Sequence, residues 1–221
     1  MVDKKIRTSI CDLNIDLEMQ GLVRWTAGNV SERLPGGDTF IIKPSGVRYE
    51  VLEPSMMVIC DLNGKVIEGD LAPSSDTAAH AYVYRHMKSV NGVVHTHSNY
   101  ASAWAAAQKP IPCALTAMAD EFGGDIPLGP FALIGNDDIG KGIVETLTGH
   151  RSPAVLMKNH GVFTIGKDAQ AAVKAAVMCE DVAKTMWIAQ SLGRIKRIDQ
   201  QSIDSLYSRY QNVYGQKGAK K

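Results

Sequence analysis

The chain lacks several features that would have narrowed its class at once. No apolar run approaches the roughly 20 residues needed to cross a bilayer, so no membrane-spanning helix is expected. The formal net charge is only +1, which gives no overall pull toward nucleic acid or an anionic membrane. Lys217, Lys220 and Lys221 make a short basic end that reads as a solvated terminus. Cys11, Cys60, Cys113 and Cys179 are widely spaced and form no Cys-x-x-Cys pair. They read as reduced, mostly buried thiols of a cytoplasmic protein. The first residues lead into a polar, helix-like stretch rather than an apolar signal core. There is no internal repeat and no low-complexity linker. No Gly-x-Gly-x-x-Gly follows a strand, so a dinucleotide-binding Rossmann sheet is not expected.

What is present is an ordinary globular composition, 45% hydrophobic and 21% charged over 221 residues. A chain of that size can bury an ample core without a disulfide or structural metal. Apolar periodicity predicts an amphipathic helix over 4–21, ending at Gly21. Trp25 to Ser31 reads as a turn-rich segment and Phe40 to Lys43 as a strand. Two strands, 56–61 and 65–67, flank the hairpin signal Asn63-Gly64. Ala72 to Thr77 reads as a loop feeding a helix that runs to about Lys88. A short strand, 92–97, and an alanine-rich helix, 98–108, follow. Another helix is expected at 137–148, then strands at 154–157 and 162–165, then helices at 168–192 and 199–211. The mixture predicts an α/β layer architecture in one domain.

Six histidines are spread along the chain. His95 and His97 lie two apart in a predicted strand, so their side chains share a face and can converge on one ion. His160 sits between two apolar strand candidates, just before Gly161, where a side chain is presented at a strand end. Three histidines leave one position of a tetrahedral zinc open, as catalytic sites require. Such ligands also suit manganese or cobalt. His80 and His86 read as structural and His150 as a loop residue at the surface. Three turn segments carry small hydroxyl or amide residues: Gly28-Asn29-Val30-Ser31, Pro44-Ser45-Gly46 and Ser74-Ser75. Backbone N–H groups at a helix start favour an anion, and glycine permits close approach. Lys43 would add positive charge to a phosphate site there.

Gly28-Asn29-Val30-Ser31, Lys43-Pro44-Ser45-Gly46, Pro73-Ser74-Ser75-Asp76-Thr77, His95-Thr96-His97-Ser98 and His160-Gly161 occur in the order and spacing of a known family. From about residue 5 to 216 the chain resembles the class II aldolase/adducin-like family. The resemblance implies a single α/β domain with a central, mainly antiparallel sheet flanked by helices. It implies a C4 homotetramer with active sites between subunits, one divalent ion per subunit and a phosphorylated ketose substrate. It assigns metal binding to His95, His97 and His160, with Asp76 as a fourth or intermittent ligand. Phosphate binding falls to Gly28, Asn29, Lys43, Ser45, Gly46, Ser74 and Ser75.

Within the family the chain looks most like the L-ribulose-5-phosphate 4-epimerases. Asp76 stands where the aldolases typically have a glutamate acid/base. Asp120 follows the Ile111-Pro112 segment, and Tyr214-Gly215-Gln216 stands near the end, as in the epimerases. Two departures keep aldolase turnover of a ketose 1-phosphate open, and with it a decarboxylase of a phosphorylated 3-keto sugar acid. Met118 replaces a histidine, and a compact segment, Pro127 to Gly135, replaces a longer loop. The expected chemistry is cleavage of the bond between carbons 3 and 4, because proton loss from carbon 4 would leave an unstabilised carbanion. Asp120 and Tyr214 of a neighbouring subunit would handle protons on the two faces of the released aldehyde.

Overall fold

The computed structural model describes residues 2–213. Tyr214, expected to be catalytic, lies outside them.

Eight strands form one sheet: β1 (Asn29–Arg33), β2 (Thr39–Ile42), β3 (Val58–Asp61), β4 (Val66–Glu68), β5 (Gly92–Thr96), β6 (Leu128–Gly129), β7 (Ala154–Met157) and β8 (Val162–Gly166). Their order is β4-β3-β2-β1-β5-β8-β7-β6. Every pairing is antiparallel except β6 with β7. The helices are α1 (Lys4–Met19), α2 (Thr77–His86), α3 (Asn99–Ala106), α4 (Thr116–Phe122), α5 (Asp138–Leu147), α6 (Ala169–Leu192) and α7 (Gln200–Asn212). The expected α/β domain with a mainly antiparallel sheet is the one observed.

Strand alternation divides the core between the two sheet faces. Ile41 and Val94 pack in a cluster with Leu17 of α1 and Ala172 of α6. Their neighbours Phe40, Ile42 and Val93 turn the other way, toward Ala79 and Val83 of α2 and Ile143 of α5. A third cluster joins α3, α4, α6 and α7 around Trp104, Phe122 and Met186. The Asn63-Gly64 hairpin closes as expected, with Gly64 at φ +82° and the backbone of Lys65 held by the Asp61 carboxylate. All four cysteines are buried and unpaired. Among the described residues no helix is long and apolar enough to cross a membrane.

Two expectations need correction. Residues 29–33 are a strand, although Gly28-Asn29-Val30-Ser31 reads as a turn. Both faces are buried there: Val30 packs in the α1 cluster while Asn29 and Ser31 are buried polar residues facing α2, so the usual single apolar face is missing. Residues 54–56 form a short 3-10 turn, and β3 begins only at Val58.

Candidate metal centre

β1, β5 and β8 lie side by side at the middle of the sheet, and their ends carry the site. Asn29 on β1 is opposite His95 on β5, and His95 is opposite Phe163 on β8. The His95 imidazole stacks on the Phe163 ring, with centroids 4.1 Å apart and planes 14° apart. Its Nδ1 donates to the Val162 carbonyl at 2.9 Å. A carbonyl can only accept, so the His95 proton sits on Nδ1 and Nε2 keeps a free lone pair. Anchoring the second ring nitrogen in this way is the usual support of a metal-binding histidine.

His97 lies one residue beyond the end of β5, not inside the strand, yet its ring still turns to His95. Their Nε2 atoms are 2.9 Å apart. His160 arrives from the turn between β7 and β8. That turn is closed by Met157 N to Gly161 O at 2.8 Å and opened by Asn159 at φ +55°. A Cβ on Gly161 would lie 2.6 Å from Thr96 O and 2.9 Å from the His97 ring, so only glycine lets the turn approach β5 this closely. The ligand-competent nitrogens of His95, His97 and His160 all lie within 4.8 Å of one another. Bonds of about 2.0–2.1 Å around a tetrahedral ion put its ligand nitrogens about 3.3 Å apart, so the triad fits a divalent cation with little movement.

Asp76 stands at the start of α2 but does not cap it: its side chain accepts no bond from the helix's free N–H groups. Instead its Oδ2 accepts from Asn29 Nδ2 at 2.7 Å, and that amide also lies 2.9 Å from Ser74 Oγ. Burial works to raise the Asp76 carboxyl. Attraction from His95 and His80 and the Asn29 bond outweigh it and hold it below the ordinary carboxylate value. An anion that needs no helix cap, buried next to three histidines, is placed to serve a cation.

The expected phosphate loops are stitched together. Ser45 N donates to Ala72 O at 2.9 Å, Ser74 N donates to Lys43 O at 3.0 Å, and Pro44 bridges to Pro73. Ser45, Gly46 and Ser75 are exposed on the resulting rim, while Gly28 and Asn29 are buried beneath it. Gly28 is at φ +78°, and a Cβ there would lie 2.8 Å from His95 O, which ties the glycine turn to the triad. Lys43 is turned inward. Its ammonium is buried over the Tyr49 ring and donates to the Val47 and Pro44 carbonyls. No carboxylate pairs with it among the described residues, and burial pushes it down to about 8. Asp120 is inside α4, not at a helix cap, and faces Arg209 of α7 at 3.4 Å. Among the described residues it has no contact with the triad.

His80 was expected to be structural and is fully buried, yet it belongs to the site's surroundings. Its Nδ1 lies 2.7 Å from Ser31 Oγ, which also lies 2.7 Å from Tyr84 OH. Its i,i+4 spacing from Asp76 was the one sequence signal that could have joined them. Burial lowers the His80 pKa to about 4 and the His95 pKa to about 3. Unfolded histidines titrate near 6.5. Between these values the unfolded chain binds more protons, so stability falls as pH falls from about 6.5. His80 alone accounts for about 3 kcal/mol lost by pH 4. Urea midpoints of metal-free protein at pH 7 and pH 4.5 test this, and equal midpoints would refute it.

A profile of the family described as "Class II Aldolase and Adducin N-terminal domain" matches residues 8–187. An L-fuculose 1-phosphate aldolase superposes with a TM-score of 0.89 at 23% identity, over 96% of this chain and 98% of that one. YgbL of Escherichia coli, named as a candidate aldolase/epimerase/decarboxylase, gives 0.81 at 26% identity over 92% and 98%. The L-fuculose-1-phosphate aldolase of Thermus thermophilus gives 0.71 at 25% identity over 85% and 96%. The chain therefore belongs to the class II aldolase and adducin family, as one of its enzymes.

Proposed function

We propose that the chain is a zinc-dependent enzyme that interconverts L-ribulose 5-phosphate and D-xylulose 5-phosphate by breaking and remaking the bond between carbons 3 and 4. The observation that carries this reading is Asp76, tied back by Asn29 at 2.7 Å beside the triad. A side chain this short and this firmly held is poorly placed to shuttle protons over a substrate. Proton handling then falls to other groups, which suits an epimerase.

When bound, the divalent cation supplies the Lewis acidity that draws electrons toward the ketose carbonyl. His95, His97 and His160 hold the cation, with Asp76 as a fourth ligand. The rim of Ser45, Gly46, Ser74 and Ser75, with Asn29 and Gly28 beneath, anchors the phosphate while the aldehyde half turns over. Lys43 braces that rim from below through its carbonyl contacts and adds its charge there. Asp120 and Tyr214 of neighbouring subunits in a homotetramer act on the two faces of the aldehyde, one as base and the other as acid.

Aldol cleavage of a ketose 1-phosphate to dihydroxyacetone phosphate and an aldehyde is the second reading. The similarity to the Thermus thermophilus fuculose-1-phosphate aldolase favours it. Incubating metal-loaded protein with L-ribulose 5-phosphate, and following both D-xylulose 5-phosphate and free glycolaldehyde phosphate, separates the two. The expected result is xylulose phosphate with little free aldehyde. Tyr214→Phe and Asp120→Asn should each lower the rate about 10²–10⁴-fold, the usual worth of general acid–base catalysis. Turnover of fuculose 1-phosphate or ribulose 1-phosphate in place of ribulose 5-phosphate would establish the aldolase.

A further inference from the structure

Several buried polar atoms around the triad have no hydrogen-bond partner, Asn29 Oδ1, Thr96 Oγ1 and Ser98 Oγ among them. His80 Nε2 and Asp76 Oδ1 are both sealed from solvent without a hydrogen bond. Leaving one such group unmatched costs about 1–3 kcal/mol, so a pair in one place calls for an explanation. Asp76 and His80 are four residues apart at the start of α2 and rise from the same helix face. Their other polar atoms are both fixed from β1. Asn29 holds Asp76 Oδ2 at 2.7 Å, and Ser31 lies 2.7 Å from His80 Nδ1. Asn29 and Ser31 are two apart on a strand and so share its face. β1 thus clamps the two side chains in parallel and leaves Asp76 Oδ1 and His80 Nε2 over, with Asn29 Oδ1 also unpartnered.

The hydroxyl network sets which way the protons point. Tyr84 OH lies 2.7 Å from Ser31 Oγ but 3.5 Å from the Asn91 carbonyl. Tyr84 has one proton to give; if it goes to the shorter contact, Ser31, then Ser31 donates in turn to His80 Nδ1. A neutral imidazole has one donor and one acceptor nitrogen, so its proton is left on Nε2. A donor without an acceptor is thus left one helical turn from a carboxylate oxygen without a donor, on the same face of α2.

We propose that His80 is a positioning residue: its Nε2–H holds Asp76 Oδ1, directly or through one buried water, and fixes the carboxylate beside the histidine triad. One water satisfies both atoms if the two are not in direct contact. The inference rests on the triad being a cation site and is indifferent to which ketose phosphate is turned over. Supports of this kind are worth about 10–100-fold in metal affinity.

Two amide substitutions divide the ring's two bonds. In His80→Asn the amide oxygen can take the place of Nδ1 and still accept from Ser31, while the reach to Asp76 is lost. In His80→Gln the amide nitrogen falls near Nε2 and can donate toward Asp76, while the Ser31 contact is lost. Zinc affinity of the metal-free proteins is read by competition with a chromophoric chelator, alongside Tm. Ring nitrogen chemical shifts give the His80 tautomer in metal-free wild type. We expect the Nε2–H tautomer, zinc binding weakened about 10–100-fold in His80→Asn, and affinity within a few-fold of wild type in His80→Gln. Wild-type affinity in His80→Asn overturns the proposal, as does loss in both variants that merely tracks Tm. The Nδ1–H tautomer overturns it even if neither variant folds. Wild-type protein that binds no zinc removes the cation site itself, and the role of His80 with it.

Discussion

His160→Ala is expected to release the divalent ion and to lower kcat/KM about 10³-fold or more, with the fold intact. The estimate follows from Lewis-acid stabilisation worth several kcal/mol, at 1.36 kcal/mol per factor of ten. His160 is a better choice than His95 because its removal disturbs less of the core. It is half-buried in a turn, and no hydrogen bond is made by its ring among the described residues. His95 is a poorer test: it is stacked on Phe163 and bonded to the Val162 carbonyl, so its loss would also open the core. With His160 gone, His95, His97 and Asp76 remain, one protein ligand fewer than the proposed set, and the hold on the ion loosens. Elemental analysis, kcat/KM and the urea midpoint of the metal-free protein form one set of measurements. Stoichiometric metal and full turnover in His160→Ala would mean that the triad is not the centre.

The triad was legible because metal chemistry leaves a spacing rule: two histidines two apart in a strand share a face, and a histidine before a glycine at a strand end is presented outward. The rest was harder for physical reasons. Asp76, between serines and a helix, reads from its local pattern as suited to the helix start; only the family resemblance gave it to the metal, and the Asn29 amide from a distant strand is what holds it away from the helix. Ser31 and His80 were hidden for the same reason, since a buried polar pair formed across 49 residues leaves no local pattern. β1 was missed because its inward residues serve a polar site. Lys43 reads as a free charge beside a phosphate loop, but a lysine stem is long enough to turn its ammonium back onto the backbone carbonyls of its own turn. The helix carrying Asp120 is seven residues long, too short for apolar periodicity to reveal.

The largest stability effect is expected far from the chemistry, at Gly92. Gly92 opens β5 and is opposite Glu32 on β1 and Gly166 on β8. The start of α6 sits directly on it. A Cβ at Gly92 would overlap the Asp168 carbonyl group and lie 2.5 Å from Ala169 N. All of these are backbone atoms, so no side chain can swing aside. They are also pinned, because the Glu32 carboxylate accepts from Ala169 N at 2.7 Å and Asp168 caps the helix through Ala171 N. Gly166 meets the same segment, its added Cβ lying 2.6 Å from Ala172 N, so moving α6 along the sheet gives no relief. Overpacking a core commonly costs about 1–3 kcal/mol, and a clash with fixed backbone belongs at or above the top of that range. Gly92→Ala should therefore lower unfolding free energy by about 3 kcal/mol or more, read from the denaturant midpoint at constant slope. His95 lies three residues further along β5, about 10 Å away, and is anchored by Val162 rather than by α6. The molecules that remain folded should thus bind zinc as wild type does. Unchanged stability would mean that α6 can lift from the sheet at little cost, whereas weakened zinc binding in folded Gly92→Ala would mean that the seat of α6 and the histidine centre move as one body.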